Sequence, residues 1–207
     1  MAPYDYIKKE IILGNFEAGS IFDEAKVAKE LNLSRTPVRE AVLRLQSEGY
    51  LTIIPRKGTL VSNISITDIK EVYQYRMILE CNAIKELDNI NIDLLNSWKI
   101  YFNKLINEDY TNLVLPVEKD SIDDIDKLFH LSIIGLLNNK LINKEETLLM
   151  DKSARIRYVS NKNNNKRYID SLNEHISIID ALLNKDLDKA SKLMKEHLLN
   201  SLRGYNL

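Results

Sequence analysis

The stretch SRTPVREAVLRLQSEGYL, from Ser34 to Leu51, constrains the fold more than any other part of the chain. Ser34 can cap a helix in which Val38, Ala41, Val42 and Leu45 recur at the i, i+3, i+4, i+7 positions and form one apolar face. Pro37 falls in the first turn, where backbone N–H groups have no intrahelical partner. Its missing donor therefore costs little, and its fixed φ suits the helix. Gly49 ends the helix. Arg35, Arg39 and Arg44 are left on the polar side of a short helix with a tightly set start.

The flanking segments give this helix a context. Apolar spacing from Tyr4 to Leu13 predicts a first helix closed by Gly14. Glu17 to Phe22 reads as a loop, and Asp23 as the N-cap of a second helix over Glu24–Leu31. Asn32 and Leu33 make a tight turn into the Ser34 helix. Downstream, YLTII and TLVSNI collect β-formers around PRKG, which predicts two short strands and a turn. Three helices with a short turn between the second and third, followed by a hairpin, form the winged helix-turn-helix arrangement. Such a recognition helix enters the major groove by its N-terminal end, so Ser34, Arg35, Thr36 and Arg39 become candidate DNA contacts. Arg44, Lys57 and Gly58 join them from the helix and the hairpin tip. On an arbitrary helix three arginines would be an ordinary solvated face; the turn, the cap and the basic hairpin tip favour DNA.

Charge supports this only locally. The chain has 207 residues and a formal net charge of −1. Between residues 35 and 57, however, Arg35, Arg39, Arg44, Arg56 and Lys57 face only Glu40 and Glu48, a local excess of +3. Charged residues make up 29% and hydrophobic ones 44%, as expected of a folded protein without a membrane span. The single Cys81 excludes an intramolecular disulfide, and the N-terminus lacks the pattern of a signal peptide. A reduced, cytoplasmic protein is expected.

From Thr67 onward the chain reads as six helices, roughly 67–87, 92–108, 120–137, 140–160, 167–184 and 186–203, and hence as an all-α bundle. The first carries Arg76 and Glu80 on its apolar side. Either they form an i, i+4 ion pair or Arg76 faces a cavity holding an anion. The three histidines, His130, His175 and His197, each lie on an apolar stripe, and Asp126 precedes His130 by one turn. A lone histidine on such a face is usually a core residue. Three of three with an aspartate at i−4 suit a divalent transition metal, with zinc first and nickel or manganese as alternatives.

Residues 5–63, through the run FDEAKVAKELNLSRTPVREAVLRLQSEGYL and the following PRKGTLV, resemble the DNA-binding domain of the GntR family of bacterial regulators. Ala25 stands where many members have an arginine. Residues 67–207, through RMILE, DKLFH and NEHISIIDALLNKDLDKASKLMKEHL, resemble the ligand-binding FCD group of that family, in its six-helix VanR-type branch. The resemblance implies a DNA-binding domain over 1–63, a linker at 64–66 and an all-helical effector and dimerisation domain over 67–207. It also implies a metal held by Asp126, His130, His175 and His197, and a small organic acid completing its coordination near Arg76 and Glu80. Arg155 and Tyr158 are further pocket candidates. The expected protein is a non-enzymatic repressor, a homodimer on a pseudo-palindromic double-stranded operator. The rival readings are a metal-responsive or structurally metallated regulator without an organic effector, and a metalloenzyme fused to a DNA-binding module.

Overall fold

The computed structural model of the chain describes residues 2–109, 113–117, 124–159 and 165–205. The start of the expected helix 120–137 and the end of 140–160 fall partly outside these residues. The described chain forms two compact units, one from residues 1–65 with 154–161 and one from residues 66–153 with 162–207.

In the first unit, α1 (Pro3–Ile12), α2 (Glu24–Glu30) and α3 (Arg35–Ser47) are followed by strands β2 (Leu51–Ile54) and β3 (Gly58–Val61). Ile7, Ile11, Val38, Val42 and Leu45 are wholly buried, so the apolar stripes of α1 and α3 supply the core. Asp23 caps α2 as expected, accepting from the amides of Ala25 and Lys26. Ser34 occupies the N-cap of α3, but its hydroxyl makes no capping bond. Gly49 closes α3 with φ at +84°, and the Tyr50 amide reaches back to the Leu45 carbonyl at 2.9 Å. At the hairpin turn, Arg56 (φ +65°) precedes Gly58 (φ +110°).

One strand was not legible in the sequence. Within the expected loop, β1 (Ile21–Phe22) pairs antiparallel with β3 through Ile21 with Leu60 and Phe22 with Thr59, giving the sheet order β1-β3-β2. Two residues carry no periodicity; a partner far along the chain makes them a strand.

In the second unit the helices are α4 (Ile66–Lys85), α5 (Ile92–Ile106), α6 (Ile125–Ile134), α8 (Asn165–Leu183) and α9 (Leu187–Arg203), with most of α7 (Lys140–Val159). A 3-10 turn at Gly135–Leu137 follows α6. α9 packs against α4 and α8, and α8 against α5. None of the described helices is long and apolar enough to cross a membrane. Trp98 is wholly buried, stacked on Phe102 at 5.2 Å and edge-on to Phe129 at 5.7 Å. These same two phenyl rings flank His175, at 5.3 and 4.4 Å between centroids. The aromatic core thereby fixes the floor of the site described below. Trp98→Ala will destabilise the protein by about 3–5 kcal/mol, measured as a lower denaturant midpoint, because the cavity it leaves cannot collapse fully.

Candidate functional site

Three helices contribute four side chains to one polar cluster inside the apolar second unit. Asp126 and His130 come from one face of α6, His175 from α8 and His197 from α9. The imidazoles are buried, and one donor atom from each of the four residues lies within 4.8 Å of all the others. Asp126 Oδ1 stands 3.7 Å from His130 Nε2, 3.4 Å from His175 Nε2 and 3.9 Å from His197 Nε2. The Nε2 atoms of His175 and His197 are 3.3 Å apart. Three imidazole nitrogens and a carboxylate converging on one point suit a divalent cation, because each could ligate through a lone pair with little rearrangement.

The outward nitrogens strengthen this fit. His130 Nδ1 is 2.5 Å from Glu80 Oε2, and His197 Nδ1 is 2.7 Å from Glu174 Oε2. A ring that donates Nδ1–H to a carboxylate presents its Nε2 lone pair inward, and such outer partners orient metal-binding histidines. Among the described residues His130 Nε2 has no hydrogen-bond partner. Glu174 is itself held by Arg167 and Asn200, each at 2.8 Å. Burial pushes Glu174 up, but bonds from His197, Arg167 and Asn200 outweigh it and bring it down to about 2.

The surrounding charges divide the histidines. Burial disfavours a proton on His130, but the Glu80 carboxylate overrides this and lifts it to about 9. Burial and then the neighbouring His197 bring His175 down to about 3, so it is neutral at ordinary pH. Burial also lowers His197. Arg76 and Glu80 are fully buried and paired at 2.6 Å, and Arg76 Nη1 donates to Ser153 Oγ at 3.2 Å. Of the two readings of this helix stripe, the i, i+4 ion pair is the one observed. The ion pair exists, and it is bonded directly to His130 of the cluster, while Arg76 Nη2 has no partner among the described residues.

The other two sequence candidates, Arg155 and Tyr158, fall in the first unit. Arg155 belongs to the first unit, where its Nη2 donates to the Ser62 carbonyl and its guanidinium lies 5.7 Å from the centroid of the Tyr50 ring. Tyr158, exposed at the end of α7, falls in the same unit. Two charged residues of the site were not singled out as contributors from sequence. Glu174 precedes His175 and could have been found as an outer partner; Arg167 gives no local signal.

In the first unit, Ser34, Arg35, Thr36 and Arg39 are all exposed at the start of α3, as are Lys57 and Gly58 at the hairpin turn. Arg39 is held by Glu24 at 2.6 Å, and Glu24 also accepts from Thr59 Oγ1 at 3.4 Å. Arg44 sits at the other end of α3, bonded to Glu48 at 3.2 Å with its guanidinium 3.6 Å from the centre of the Tyr4 ring. That stacking holds its guanidinium against α1, although the side chain stays exposed.

A winged helix-turn-helix followed along the chain by a helical bundle defines a class of DNA-binding transcription regulators. Residues 3–61 match the family described as "Bacterial regulatory proteins, gntR family", and residues 106–200 match the FCD domain. An uncharacterized HTH-type transcriptional regulator from the TAR-I ttuE-ttuC' intergenic region of Agrobacterium vitis is 30% identical over 137 residues, covering 65% of this chain and 78% of that one. The gluconate operon transcriptional repressor of Bacillus licheniformis is 27% identical, with 92% and 78% coverage. Among solved structures, a GntR regulator from Rhodococcus sp. RHA1 superposes with a TM-score of 0.74 at 22% identity, covering 97% of this chain and 93% of that one. E. coli McbR/YncC gives 0.75 at 20%, with 99% and 95% coverage. The chain belongs to the GntR family of bacterial transcription regulators and carries an FCD domain.

Glu174→Gln will weaken zinc binding by about tenfold or more, since the amide orients His197 less firmly than the carboxylate does. Competition with a chromogenic chelator measures this directly.

Proposed function

We propose that the protein is a homodimeric repressor whose operator binding is controlled by a small carboxylate bound at a metal centre of Asp126, His130, His175 and His197. The observation that carries this reading is the convergence of four donor atoms beside a buried guanidinium with one nitrogen unpartnered among the described residues. When bound, the ion, with zinc the first candidate and nickel or manganese the alternatives, supplies a Lewis-acidic position for a carboxylate oxygen. Arg76 supplies charge-assisted hydrogen bonds to the same anion. The relatives named as repressors support the direction of control.

Two copies would present two α3 helices to the half-sites of a pseudo-palindromic operator, matching protein symmetry to DNA symmetry. Tyr75 and Ile78 on α4 and Ile100 on α5, large apolar side chains exposed in the single chain, support a partner surface on the helical unit. The effector acts by binding more tightly to the arrangement of the dimer that fits the operator poorly.

Fluorescence anisotropy on a labelled duplex, selected from random DNA with the protein itself, tests this reading. Zinc-loaded protein will release the duplex as short carboxylates are added, and the His175→Ala variant will not respond. DNA affinity unchanged by every carboxylate overturns it. Release on zinc addition alone would instead establish the metal as the signal.

A further inference from the structure

Glu146 takes no part in the arrangement described so far. It is wholly buried on α7, and neither of its carboxylate oxygens has a hydrogen-bond partner among the described residues. Seven residues on, two turns along the same helical face, Ser153 Oγ accepts from Arg76 Nη1 at 3.2 Å. The face that carries Glu146 is thus the one turned toward the site. The charges of Glu80, Arg76, His130 and Asp126 all act on Glu146.

A buried acid and a buried guanidinium nitrogen are therefore left unpartnered in one cluster. Each such group is expensive, because its lost hydration is not replaced. They lie near enough for each to feel the other's charge, yet they do not bond. A small molecule with an acceptor at one end and a donor at the other would satisfy both. Burial, reinforced by the Glu80 carboxylate, pushes Glu146 above the usual carboxylate range. A bare second carboxylate placed against it would worsen that repulsion, whereas a hydroxyl or ammonium would relieve it.

We infer that Glu146 and Arg76 are the two ends of one ligand subsite, in which Arg76 receives the carboxylate of a short acid and Glu146 receives an amino or hydroxyl group of the same molecule. This rests on the effector reading above and narrows it to short amino or hydroxy acids, with Glu146 as the specificity-determining residue.

Propionate, lactate and alanine form a matched probe set differing only at one carbon. They are titrated calorimetrically into zinc-loaded wild type, Glu146→Leu and Glu146→Gln. In wild type, lactate or alanine will bind at least about tenfold more tightly than propionate, as befits a buried hydrogen bond to an acid. Which of the two gains more separates hydroxyl from amino recognition. In Glu146→Leu that advantage will vanish while propionate affinity and zinc content are kept. Glu146→Gln, nearly isosteric and thus decisive if the leucine variant does not fold, will weaken the alanine advantage severalfold, because the charge assistance is gone. Equal binding of all three acids by wild type, or an unchanged preference in the variants, overturns the inference while leaving a metal-bound carboxylate intact. Loss of zinc from Glu146→Gln also overturns it and makes Glu146 a metal ligand. Failure of all three acids to bind removes the effector reading and this subsite together.

Discussion

Protein purified without chelator or immobilised metal will contain close to one divalent ion per chain by elemental mass spectrometry, and His175→Ala will contain little. His175 is the histidine to remove because its imidazole packs against Phe102 and Phe129, at 5.3 and 4.4 Å between ring centroids, and alanine there leaves the centre one ligand short. Losing a direct ligand exceeds the roughly 10–100-fold effect of losing an outer partner. Apparent affinity will also depend on pH in a way that the site's electrostatics dictate. Burial and the neighbouring His197 bring His175 down to about 3, so it does not limit binding, and burial lowers His197 as well. His130 is the limiting group, because in the absence of metal the Glu80 carboxylate keeps it protonated up to about pH 9. A protonated imidazole must lose its proton to ligate. Below that pH each ion bound therefore releases about one proton, and affinity rises about tenfold per pH unit until it levels near pH 9. Chelator competition across pH 6–10 measures the slope. A plateau beginning near pH 6.5 would show that Glu80 does not hold a proton on His130. Glu80→Gln will bring the plateau to lower pH, since the carboxylate that stabilises the imidazolium is gone.

Arg35→Ala will reduce discrimination between the selected operator and a scrambled duplex by about 1–3 kcal/mol, or roughly 5–150-fold, if this side chain reads a guanine edge. It is the cleaner of the two arginine tests. Arg35 is exposed at the first position of α3 and makes no ion pair among the described residues, so its removal disturbs only the interface. Arg39→Ala will also weaken binding, but it breaks the 2.6 Å pair with Glu24 at the same time. Lys57→Ala, at the hairpin turn, should weaken operator and scrambled DNA alike and lower the slope of log affinity against log salt by about 1, the signature of a lost phosphate contact. Equal discrimination by wild type and Arg35→Ala would remove that residue from base reading.

The reading head was written locally. The apolar repeat of α3, Pro37 in its first turn, the Asp23 cap and the Gly49 stop each act within a few residues, so the helices, the short turn and the hairpin could be derived before any coordinates. The histidine cluster was half legible. Helical spacing places Asp126 and His130 on one face, and the stripes of α8 and α9 turn His175 and His197 inward, but periodicity cannot say that three inward faces share one centre.

Other features depended on chain segments far apart in sequence. β1 exists because β3 pairs with it, and Arg155 bonds the Ser62 carbonyl 93 residues away. Arg44, grouped by sequence with the other arginines, is stacked on Tyr4 of α1. The partnership of Glu80 with His130 spans 50 residues, and that of Glu174 with His197 spans 23. Glu146 looks like any acid on an amphipathic helix until packing removes its water and, among the described residues, supplies no hydrogen-bond partner. Local propensity and periodicity fix which elements form and which way their faces turn. Burial, pairing and the charge state of a buried group are properties of the assembled unit, because they depend on which distant side chains replace the solvent.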